Sequence, residues 1–365
     1  MGDVDNLSLP TKLPDNAVVC LMAPTASGKT SLAYELYETG RFEIISVDSA
    51  LIYKDMNIGT AKPTQSELEQ YPHHLVDIID PTQSYSVANF VSDTQQLVEQ
   101  IHQRGKIPLL VGGTLMYYMA LFNGLSPIPD TDPNVRAQVE AQRQQQGIEA
   151  LHDYLSKIDP PLAERLPIGD TQRITRAIEV YQQTGKPLSY WQQLPKQALS
   201  DNPQQYWLGL AVMPDRAWLH ERIALRLEMM WADGFFDEVG QLLTNYSLDA
   251  QMPSMRCVGY RQVIDYLIAT DHPLISRLKI NGQSVDNKGL EVNEAHKSIA
   301  CQDMKNKALY ATRQLAKRQY TWLRNLVASH QPSDTLQTSG AQTEQKVVHS
   351  FDTIQDAKAY LFSRL

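Results

Sequence analysis

The sequence feature that most restricts the fold is a loop between an apolar run and a predicted helix. Residues 17–22 (AVVCLM) have the length of a buried strand, and APTASGKT follows at 23–30. Backbone N–H groups at a helix start attract anions, while a lysine adds positive charge and a hydroxyl can bind Mg²⁺. The pattern predicts a phosphate-binding loop for a diphosphate or triphosphate, formed by Ala23, Pro24, Thr25, Ala26, Ser27, Gly28, Lys29 and Thr30. Ala23 departs from the general pattern, which has glycine there.

Further apolar runs at 44–47, 107–111 and 208–213 alternate with helical patterns. Such alternation predicts a parallel sheet covered on both faces. Between residues 123 and 205 the sequence is Gln-rich and helical, without a convincing buried strand. We therefore predict an α/β protein, a P-loop parallel sheet with helices on both faces, interrupted by a smaller all-helical insertion domain. The predicted parts are the first part of the core at 1–122, the insertion at 123–205 and the second part of the core at 206–328.

Two polar segments lie outside this pattern. Residues 271–302 predict a mobile surface excursion, and residues 329–365 a polar tail, disordered up to residue 350 and followed by a short helix. Between them, residues 305–326 predict a long basic helix.

The composition excludes several classes of protein. Three cysteines, far apart and without a CxxC pair, exclude a disulfide scaffold and a cysteine-rich zinc module. No apolar run approaches the roughly 20 residues that span a bilayer, and the first residues lack a targeting signal. We expect a cytoplasmic protein without membrane contact. With 33 Lys and Arg against 41 Asp and Glu, the net charge of −8 argues, taken alone, against nucleic-acid binding.

Two of the predicted strands end in polar or glycine-rich turns beside the phosphate loop. The second strand ends at Asp48, and the third ends in Gly112, Gly113 and Thr114, where many P-loop hydrolases carry an acid. The carboxyl edge of a parallel sheet is where α/β proteins bind ligands. Asp48 could cap the next turn, or it could accept a proton or hold Mg²⁺ near a bound phosphate.

Longer segments carry a more specific pattern. PTASGKT, ISVDSALIYKDMNIGTAKPT, PHHLVDIIDP and IPLLVGGTLMYY follow in this order, and PDTDPNVR, DTQRITRAIEVYQQTGKPLS, PSMRCVGYRQ and ATRQLAKRQYTWLR continue it over about residues 17–327. This combination resembles the bacterial tRNA dimethylallyltransferases, also called tRNA isopentenyltransferases. The resemblance implies transfer of a dimethylallyl group from dimethylallyl diphosphate to the exocyclic amine of the adenine 3′ of the anticodon. It also implies Mg²⁺ as cofactor, the tRNA anticodon stem-loop as partner, and a phosphate loop that holds the donor's diphosphate. We expect a monomer.

The resemblance also implies roles for individual residues. Asp48 matches the carboxylate that accepts a hydrogen bond, and the proton, from the adenine amine, and Thr25 matches a residue near the reacting centre. Thr30 matches the residue that faces Mg²⁺. Arg226 matches the arginine that binds the diphosphate, and Arg222 is the second choice for this role. The implied tRNA-binding positions are Asp48, Ser49, Ala50, Leu51, Thr114, Arg136, Gln172, Arg173, Ile174, Thr175, Arg176, Arg256, Cys257, Val258, Gly259, Tyr260, Arg261, Lys317, Arg318, Gln319, Tyr320, Thr321, Trp322, Leu323 and Arg324.

The basic helix supports an RNA partner despite the overall negative charge. Residues 305–324 contain six cations and no acid, with Tyr310, Tyr320 and Trp322 among them. Cations grip phosphates and aromatic rings stack on unpaired bases. Cys257 has no neighbouring ligand in sequence and is predicted to be a packed small side chain rather than a nucleophile. Two alternatives remain at this point, a P-loop kinase for a small molecule or nucleotide and a non-catalytic tRNA-binding protein.

Overall fold

The computed structural model describes residues 12–285, 294–331 and 345–365. The chain divides into two compact units, which we call the sheet unit (Met1–Met119 with Ser200–Leu365) and the helical unit (Ala120–Leu199). In chain order the helices and strands are β1 (Ala17–Met22), α1 (Lys29–Glu38), β2 (Phe42–Val47), α2 (Gln65–Gln70), β3 (His73–His74), α3 (Val87–Gln103), β4 (Ile107–Gly112), α4 (Leu115–Asn123), α5 (Pro133–Ile158), α6 (Pro160–Arg165), α7 (Thr171–Thr184), α8 (Leu188–Gln193), β5 (Tyr206–Val212), α9 (Arg216–Ala232), α10 (Phe235–Asn245), α11 (Tyr260–Ala269), β6 (Lys279–Ile280), β7 (Gln283–Ser284), α12 (Glu294–His330), β8 (Lys346–Phe351) and α13 (Ile354–Phe362).

The sheet unit is built on a six-stranded parallel sheet in the order β3-β2-β4-β1-β5-β8. The central strand β1 pairs with β4 on one side and β5 on the other, with Val19 opposite both Leu109 and Leu208. Strands buried on both faces read as continuous apolar runs, which is why the sequence revealed them. Leu32 of α1 and Leu361 of α13 pack in one core cluster with this sheet. The predicted α/β fold class is confirmed.

The structure differs from the predicted polar tail. Residues Lys346–Phe351 form a parallel strand beside β5, with Val348 opposite Gly209, and α13 contributes Ala357 and Leu361 to the buried core. Val347 and Val348 are buried in this edge strand, although the surrounding Ser, Thr and Gln residues suggested disorder. The part of the predicted tail at 332–344 lies outside the described residues.

The predicted excursion at 271–302 is also ordered in its described parts. It begins with a 3₁₀-helix at Pro273–Arg277, whose Ile275 is buried, and continues into the antiparallel pair β6 and β7. Residues 286–293 of this segment lie outside the described part of the chain. Helix α12 begins at Glu294, well before the predicted start of the basic helix.

The helical unit is a bundle of four helices, α5 to α8, as expected for an all-helical insertion. Its core contains Val139 and Leu155 from α5 and Ile174 and Ile178 from α7. Helix α5 is interrupted at Gly147, whose φ of 81° lies outside the helical region. Across the described residues of both units, no helix is long and apolar enough to cross a membrane.

Candidate active site

The phosphate loop connects β1 to α1 at the carboxyl edge of the sheet. Ala26 and Gly28 have left-handed φ values of 63° and 90°, and α1 begins at the next residue, Lys29. Left-handed residues in such a turn bend successive N–H groups toward one concave side, which binds anions. Among the described residues, no hydrogen bond occupies the N–H groups of residues 26–29. The loop is therefore a ready set of donors for a phosphate.

The unusual Ala23 is accommodated without disturbing the loop. Its methyl group is fully buried in the core cluster that covers β1, and its N–H donates to the Gly112 carbonyl at 3.3 Å. The glycine of the general pattern is thus not required here, because the space for a methyl group exists inside the core.

Two side chains of the loop lack the partners that their burial demands. The Ser27 hydroxyl is buried and has no hydrogen-bond partner among the described residues. In the described part of the chain, the Lys29 ammonium makes one hydrogen bond, to the Pro24 carbonyl at 3.5 Å. Its burial lowers the pKa of Lys29 to about 8; the negative Asp48 opposes this shift and the positive Arg226 adds to it. A buried hydroxyl and a poorly solvated cation would both be stabilised by an anionic ligand.

Helix α9 presents both candidate arginines to the phosphate loop. Arg226 donates a hydrogen bond to the Thr25 hydroxyl, and Arg222 donates from Nε to the Ala26 carbonyl at 3.1 Å. Four residues apart, they lie on the same face of the helix. Burial lowers the pKa of Arg226, and the charge of Asp48 opposes that shift. The structure thus brings together the first and second choices for a diphosphate-binding arginine.

Asp48 follows β2 and lies beside these cations. One carboxylate oxygen accepts from the Ala50 N–H at 2.8 Å, and the other has no hydrogen-bond partner among the described residues. The charge of Asp48 acts on both Lys29 and Arg226. A carboxylate with one oxygen held and the other free can accept a hydrogen bond from a ligand. Asp48 therefore caps the turn with one oxygen, and its other oxygen is a candidate acid–base group.

The glycine-rich turn after β4 is hydrogen-bonded to the segment around Asp48. The Thr114 N–H donates to the Val47 carbonyl at 3.1 Å, and the Thr114 hydroxyl accepts from the Ser49 N–H at 3.0 Å. A Cβ atom at Gly112 would lie 2.0 Å from the Val47 carbonyl oxygen, so no side chain fits there. The turn therefore needs glycine for the close approach of β2.

Cys257 lies close to this centre. Burial raises the pKa of its thiol to about 12, and the charge of Asp48 adds to the shift. A thiol with such a pKa stays protonated, which agrees with the prediction of a packed side chain rather than a nucleophile.

The structure divides the predicted tRNA-binding positions into buried and accessible ones. The buried ones face the interior and are Ile174, Gly259, Tyr260, Gln319, Tyr320 and Leu323. Tyr260, for example, donates its hydroxyl to Glu238 at 2.5 Å, and Tyr320 donates to the Pro214 carbonyl. These side chains pack inside the protein, and the tRNA contacts that the resemblance implies for their positions stay a prediction. The half-buried positions are Asp48, Ala50, Leu51, Thr114, Thr175, Arg176, Cys257 and Val258, and the exposed ones are Ser49, Arg136, Gln172, Arg173, Arg256, Arg261, Lys317, Arg318, Thr321, Trp322 and Arg324.

The six cations of the basic helix are not equivalent. Lys305 is half-buried over the ring of Trp231, 5.9 Å from its centroid, and Lys307 pairs with Asp303 at 2.8 Å. The Arg313 Nε is buried without a hydrogen-bond partner among the described residues. Lys317, Arg318 and Arg324 remain exposed, and these three form the accessible positive end of α12.

Residues 51–326 match the sequence model of the IPP transferase family. The chain belongs to this family. It is 54% identical to the tRNA dimethylallyltransferase of Psychrobacter arcticus, over 98% of this chain and 97% of that protein. It is 49% identical to the tRNA dimethylallyltransferase of Acinetobacter baumannii, over 86% of this chain and 92% of that protein. The predicted family is therefore confirmed.

Solved structures of related proteins share the architecture. The tRNA isopentenylpyrophosphate transferase of Bacillus halodurans is 28% identical, with a TM-score of 0.56 and 96% of each chain covered. A eukaryotic dimethylallyltransferase, whose structures are described as snapshots of the enzyme acting on tRNA, is 24% identical. Its TM-score is 0.62, with 84% of this chain and 70% of that chain covered, and this likeness concerns the fold.

Sequence reasoning missed one buried carboxylate, which holds the backbone of residues 57–59. Glu238 of α10 accepts hydrogen bonds from the N–H groups of Asn57, Ile58 and Gly59, at 2.9, 2.6 and 3.1 Å. A Cβ atom at Gly59 would lie 2.1 Å from the Phe235 ring, so the segment can pack only with glycine. No signal in the sequence marks Glu238, since it lies in an ordinary amphipathic helix.

The segment held by Glu238 borders a cavity of about 660 Å³. Asn57 and Ile58 line one side of this cavity, and Arg226, Met229 and Met230 of α9 line another. Arg226 therefore faces both the cavity and the phosphate loop. Sequence patterns alone did not reveal the cavity, because its walls come from segments far apart in the chain.

Proposed function

We propose that this protein is a tRNA dimethylallyltransferase. It transfers the dimethylallyl group of dimethylallyl diphosphate to the exocyclic amine of the adenine 3′ of the anticodon and releases diphosphate. The observation that carries this proposal is the position of Asp48, with one free carboxylate oxygen, beside a phosphate loop with free N–H groups and two arginines. The membership of the family and the tRNA dimethylallyltransferases among its relatives support the same reaction rather than a kinase.

The phosphate loop binds the diphosphate of the donor in this proposal. The N–H groups of residues 26–29, the Ser27 hydroxyl, Lys29 and Arg226 supply donors and positive charge to its oxygens. As the bond from the allylic carbon to oxygen breaks, negative charge grows on the departing diphosphate. Fixed donors aimed at that charge stabilise the transition state more than the ground state. The cavity beside Arg226 offers the donor a path to this loop.

Asp48 acts on the acceptor. The amine nitrogen of the adenine forms a bond to the allylic carbon while diphosphate leaves with the electron pair of the broken bond. The amine then carries a surplus proton, which Asp48 accepts through its free oxygen. Thr25, whose hydroxyl accepts a hydrogen bond from Arg226, is held in the phosphate loop near the reacting centre in this proposal.

The residues present fit a Mg²⁺ ion that arrives with the diphosphate. Mg²⁺ in phosphate sites keeps several waters and uses phosphate oxygens with one or two protein ligands. Thr30 has an exposed side chain in the first turn of α1. The described residues contain no group of three or more His, Cys, Asp or Glu side chains that could hold a metal by themselves. We therefore propose Thr30 as the protein ligand; the bound ion would neutralise charge on the leaving group.

The tRNA binds through the accessible predicted positions. An adenine stacked in the anticodon loop must leave its stack to reach Asp48, and unpaired loop bases do so at the smallest free-energy cost. Lys317, Arg318 and Arg324 of α12 would grip phosphates, and Trp322 offers a ring for stacking. Arg256 and Arg261 of the sheet unit, and Arg136, Gln172 and Arg173 of the helical unit, complete the proposed contacts. We further propose that the protein acts as a cytoplasmic monomer.

One assay tests the reaction against its alternatives. The protein is incubated with dimethylallyl diphosphate, Mg²⁺ and unmodified tRNA, and the nucleosides of the digested tRNA are analysed by mass spectrometry. We expect adenosine that carries one dimethylallyl group, and none when ATP replaces the donor or when Asp48→Ala replaces the wild type. Phosphoryl transfer from ATP without prenylated adenosine would establish a kinase, and tRNA binding without any transfer would establish a binding protein.

A further inference from the structure

Gln319 occupies the centre of the most basic stretch of α12 but does not face the solvent. Its exposed fraction is 7%. The side-chain oxygen accepts a hydrogen bond from the Thr25 N–H at 3.1 Å, and the side-chain nitrogen donates to the Gly113 carbonyl at 2.8 Å. One carboxamide therefore bridges the phosphate loop and the turn that follows β4.

Both hydrogen bonds require an amide. A carboxylate could accept from Thr25 but could not donate to Gly113, and an ammonium could do only the reverse. The turn also leaves room for this group, because a Cβ atom at Gly113 would lie 2.5 Å from the Gln319 nitrogen. The glycine and the glutamine therefore fit each other.

The contact decides which N–H groups of the loop face a ligand. Gln319 occupies the N–H of Thr25, whereas those of residues 26–29 stay free. Thr25 is also held at its hydroxyl by Arg226. With its backbone and its side chain both fixed, Thr25 determines the direction in which the following N–H groups point.

We infer that Gln319 is a positioning residue for the diphosphate. It fixes the phosphate loop to the helix whose exposed side bears Lys317 and Arg318. The identity of the donor rests on the proposed function, but the role of Gln319 concerns an anion in the loop and can be measured without the transfer reaction. A residue with this role acts on affinity for the diphosphate and leaves affinity for the tRNA largely unchanged.

Two variants of similar volume separate the two hydrogen bonds. Gln319→Leu removes both, and Gln319→Glu keeps the acceptor for Thr25, removes the donor to Gly113 and adds a negative charge. Gln302→Leu is the matched control, since Gln302 is an exposed glutamine of the same helix. Thermal unfolding and circular dichroism establish that each variant is folded before its binding is interpreted.

The experiment measures the affinity of each protein for inorganic pyrophosphate with Mg²⁺ by titration calorimetry, and then the KM values for dimethylallyl diphosphate and for tRNA. We expect Gln319→Leu to weaken pyrophosphate binding by about tenfold, as two lost hydrogen bonds imply, and to raise the donor KM similarly. Gln319→Glu should weaken it further, and part of the loss should return as the pH is lowered and the introduced carboxyl gains a proton, each value being compared with the wild type at the same pH. The KM for tRNA should change little.

The outcomes distinguish the role of Gln319 from the proposed function. If the wild type binds pyrophosphate but prenylates no tRNA, the proposed function is wrong while the role of Gln319 is still measured. If folded Gln319→Leu and Gln319→Glu bind pyrophosphate as tightly as Gln302→Leu, Gln319 is only a packing residue and the inference is overturned. An equal loss for donor and tRNA would likewise contradict it, because a general disturbance of α12 would then explain both.

Discussion

Arg226 of α9 donates its hydrogen bond to Thr25, a residue of the phosphate loop, across 201 positions of sequence. The contact joins the long second part of the sheet unit to the first strand-and-helix of the chain. Its consequence is that the loop and the arginine are positioned together before any ligand binds. Such preorganised groups avoid the free-energy cost of rearrangement during the reaction.

Arg226→Ala should reduce kcat/KM for dimethylallyl diphosphate by about a hundredfold, because it removes a half-buried cation from the leaving group. Arg226→Lys should recover only part of this loss, since an ammonium cannot make the paired contacts of a guanidinium. Steady-state kinetics with the donor varied at saturating tRNA measures both. Arg222→Ala is the matched control, because loss of the more exposed Arg222 should reduce kcat/KM clearly less. Equal losses for the two arginines would contradict a special role for Arg226.

Asp48→Asn should lower kcat by about a thousandfold while the Kd for tRNA changes little. The reason is that the carboxylate acts on the amine mainly in the transition state, when the proton must leave. Single-turnover kinetics and filter binding separate the two effects. Asp352→Asn, at the exposed aspartate that follows β8, should leave both values near those of the wild type. If tRNA affinity falls as much as turnover, Asp48 is a binding residue and not the base.

The pKa of Lys29, about 8, predicts how the reaction responds to alkaline conditions. Below that pH the ammonium is charged and binds the diphosphate, and above it the charge is lost. We therefore expect kcat/KM for the donor to fall as the pH rises through about 8 in the free enzyme. Lys29→Met should abolish this pH dependence along with most of the donor binding.

The same residue should limit stability. The pKa of Lys29 in the folded state lies below its ordinary value of 10.5, because the folded state disfavours the charged form. The free energy of unfolding therefore decreases as the pH falls from 10.5 toward 8. Lys29→Met should therefore unfold at a higher temperature than the wild type at pH 7, by about 2 °C or more. Differential scanning calorimetry at pH 7 checks this expectation, with Lys54→Met as an exposed control. A lower unfolding temperature would show that the ammonium is well stabilised where it lies.

Glu238→Gln should destabilise the fold by about 3 kcal/mol, because an amide nitrogen would replace one of two oxygens that each accept two hydrogen bonds. Urea unfolding measures the change. Tyr260→Phe, which removes one of the four donors, should cost about 1 kcal/mol. Glu228→Gln, at an exposed glutamate, should lie within about 0.5 kcal/mol of the wild type. A small effect of Glu238→Gln would mean that water replaces the lost acceptor.

Arg318→Ala should weaken tRNA binding and reduce the dependence of the binding constant on salt concentration, since each phosphate contact releases counterions. Binding titrations at several salt concentrations give the slope. Lys307→Ala removes an equal charge that is already paired with Asp303, and it should change the slope less. An unchanged slope for Arg318→Ala would place the phosphate contact elsewhere.

The sequence predicted the phosphate loop and the central strands well because both depend on local patterns. The fully buried strands are continuous apolar runs, and the loop needs its residues in one short segment. Arg226 was found only through the family resemblance, since nothing in an amphipathic helix says which cation reaches a distant loop. The resemblance implied tRNA contacts for Gln319 and Tyr320, yet the helical period turns these two side chains inward. Glu238 and β8 were missed because their partners are remote in sequence.

The order of the strands also sets the distance between the segment that bears Asp48 and the phosphate loop. Asp48 follows β2 and the phosphate loop follows β1, and β4 lies between them. Two strand spacings, or about 10 Å, separate the backbone ends of β2 and β1. The Asp48 side chain acts across part of that distance, since its charge reaches both Lys29 and Arg226. The reacting allylic carbon therefore has to lie between these groups, with the acceptor amine on the side of Asp48 and the diphosphate on the side of the loop. Since Gly112 brings the Val47 carbonyl so close that no side chain can intervene, the spacing cannot grow by mutation at that turn without separating the sheet.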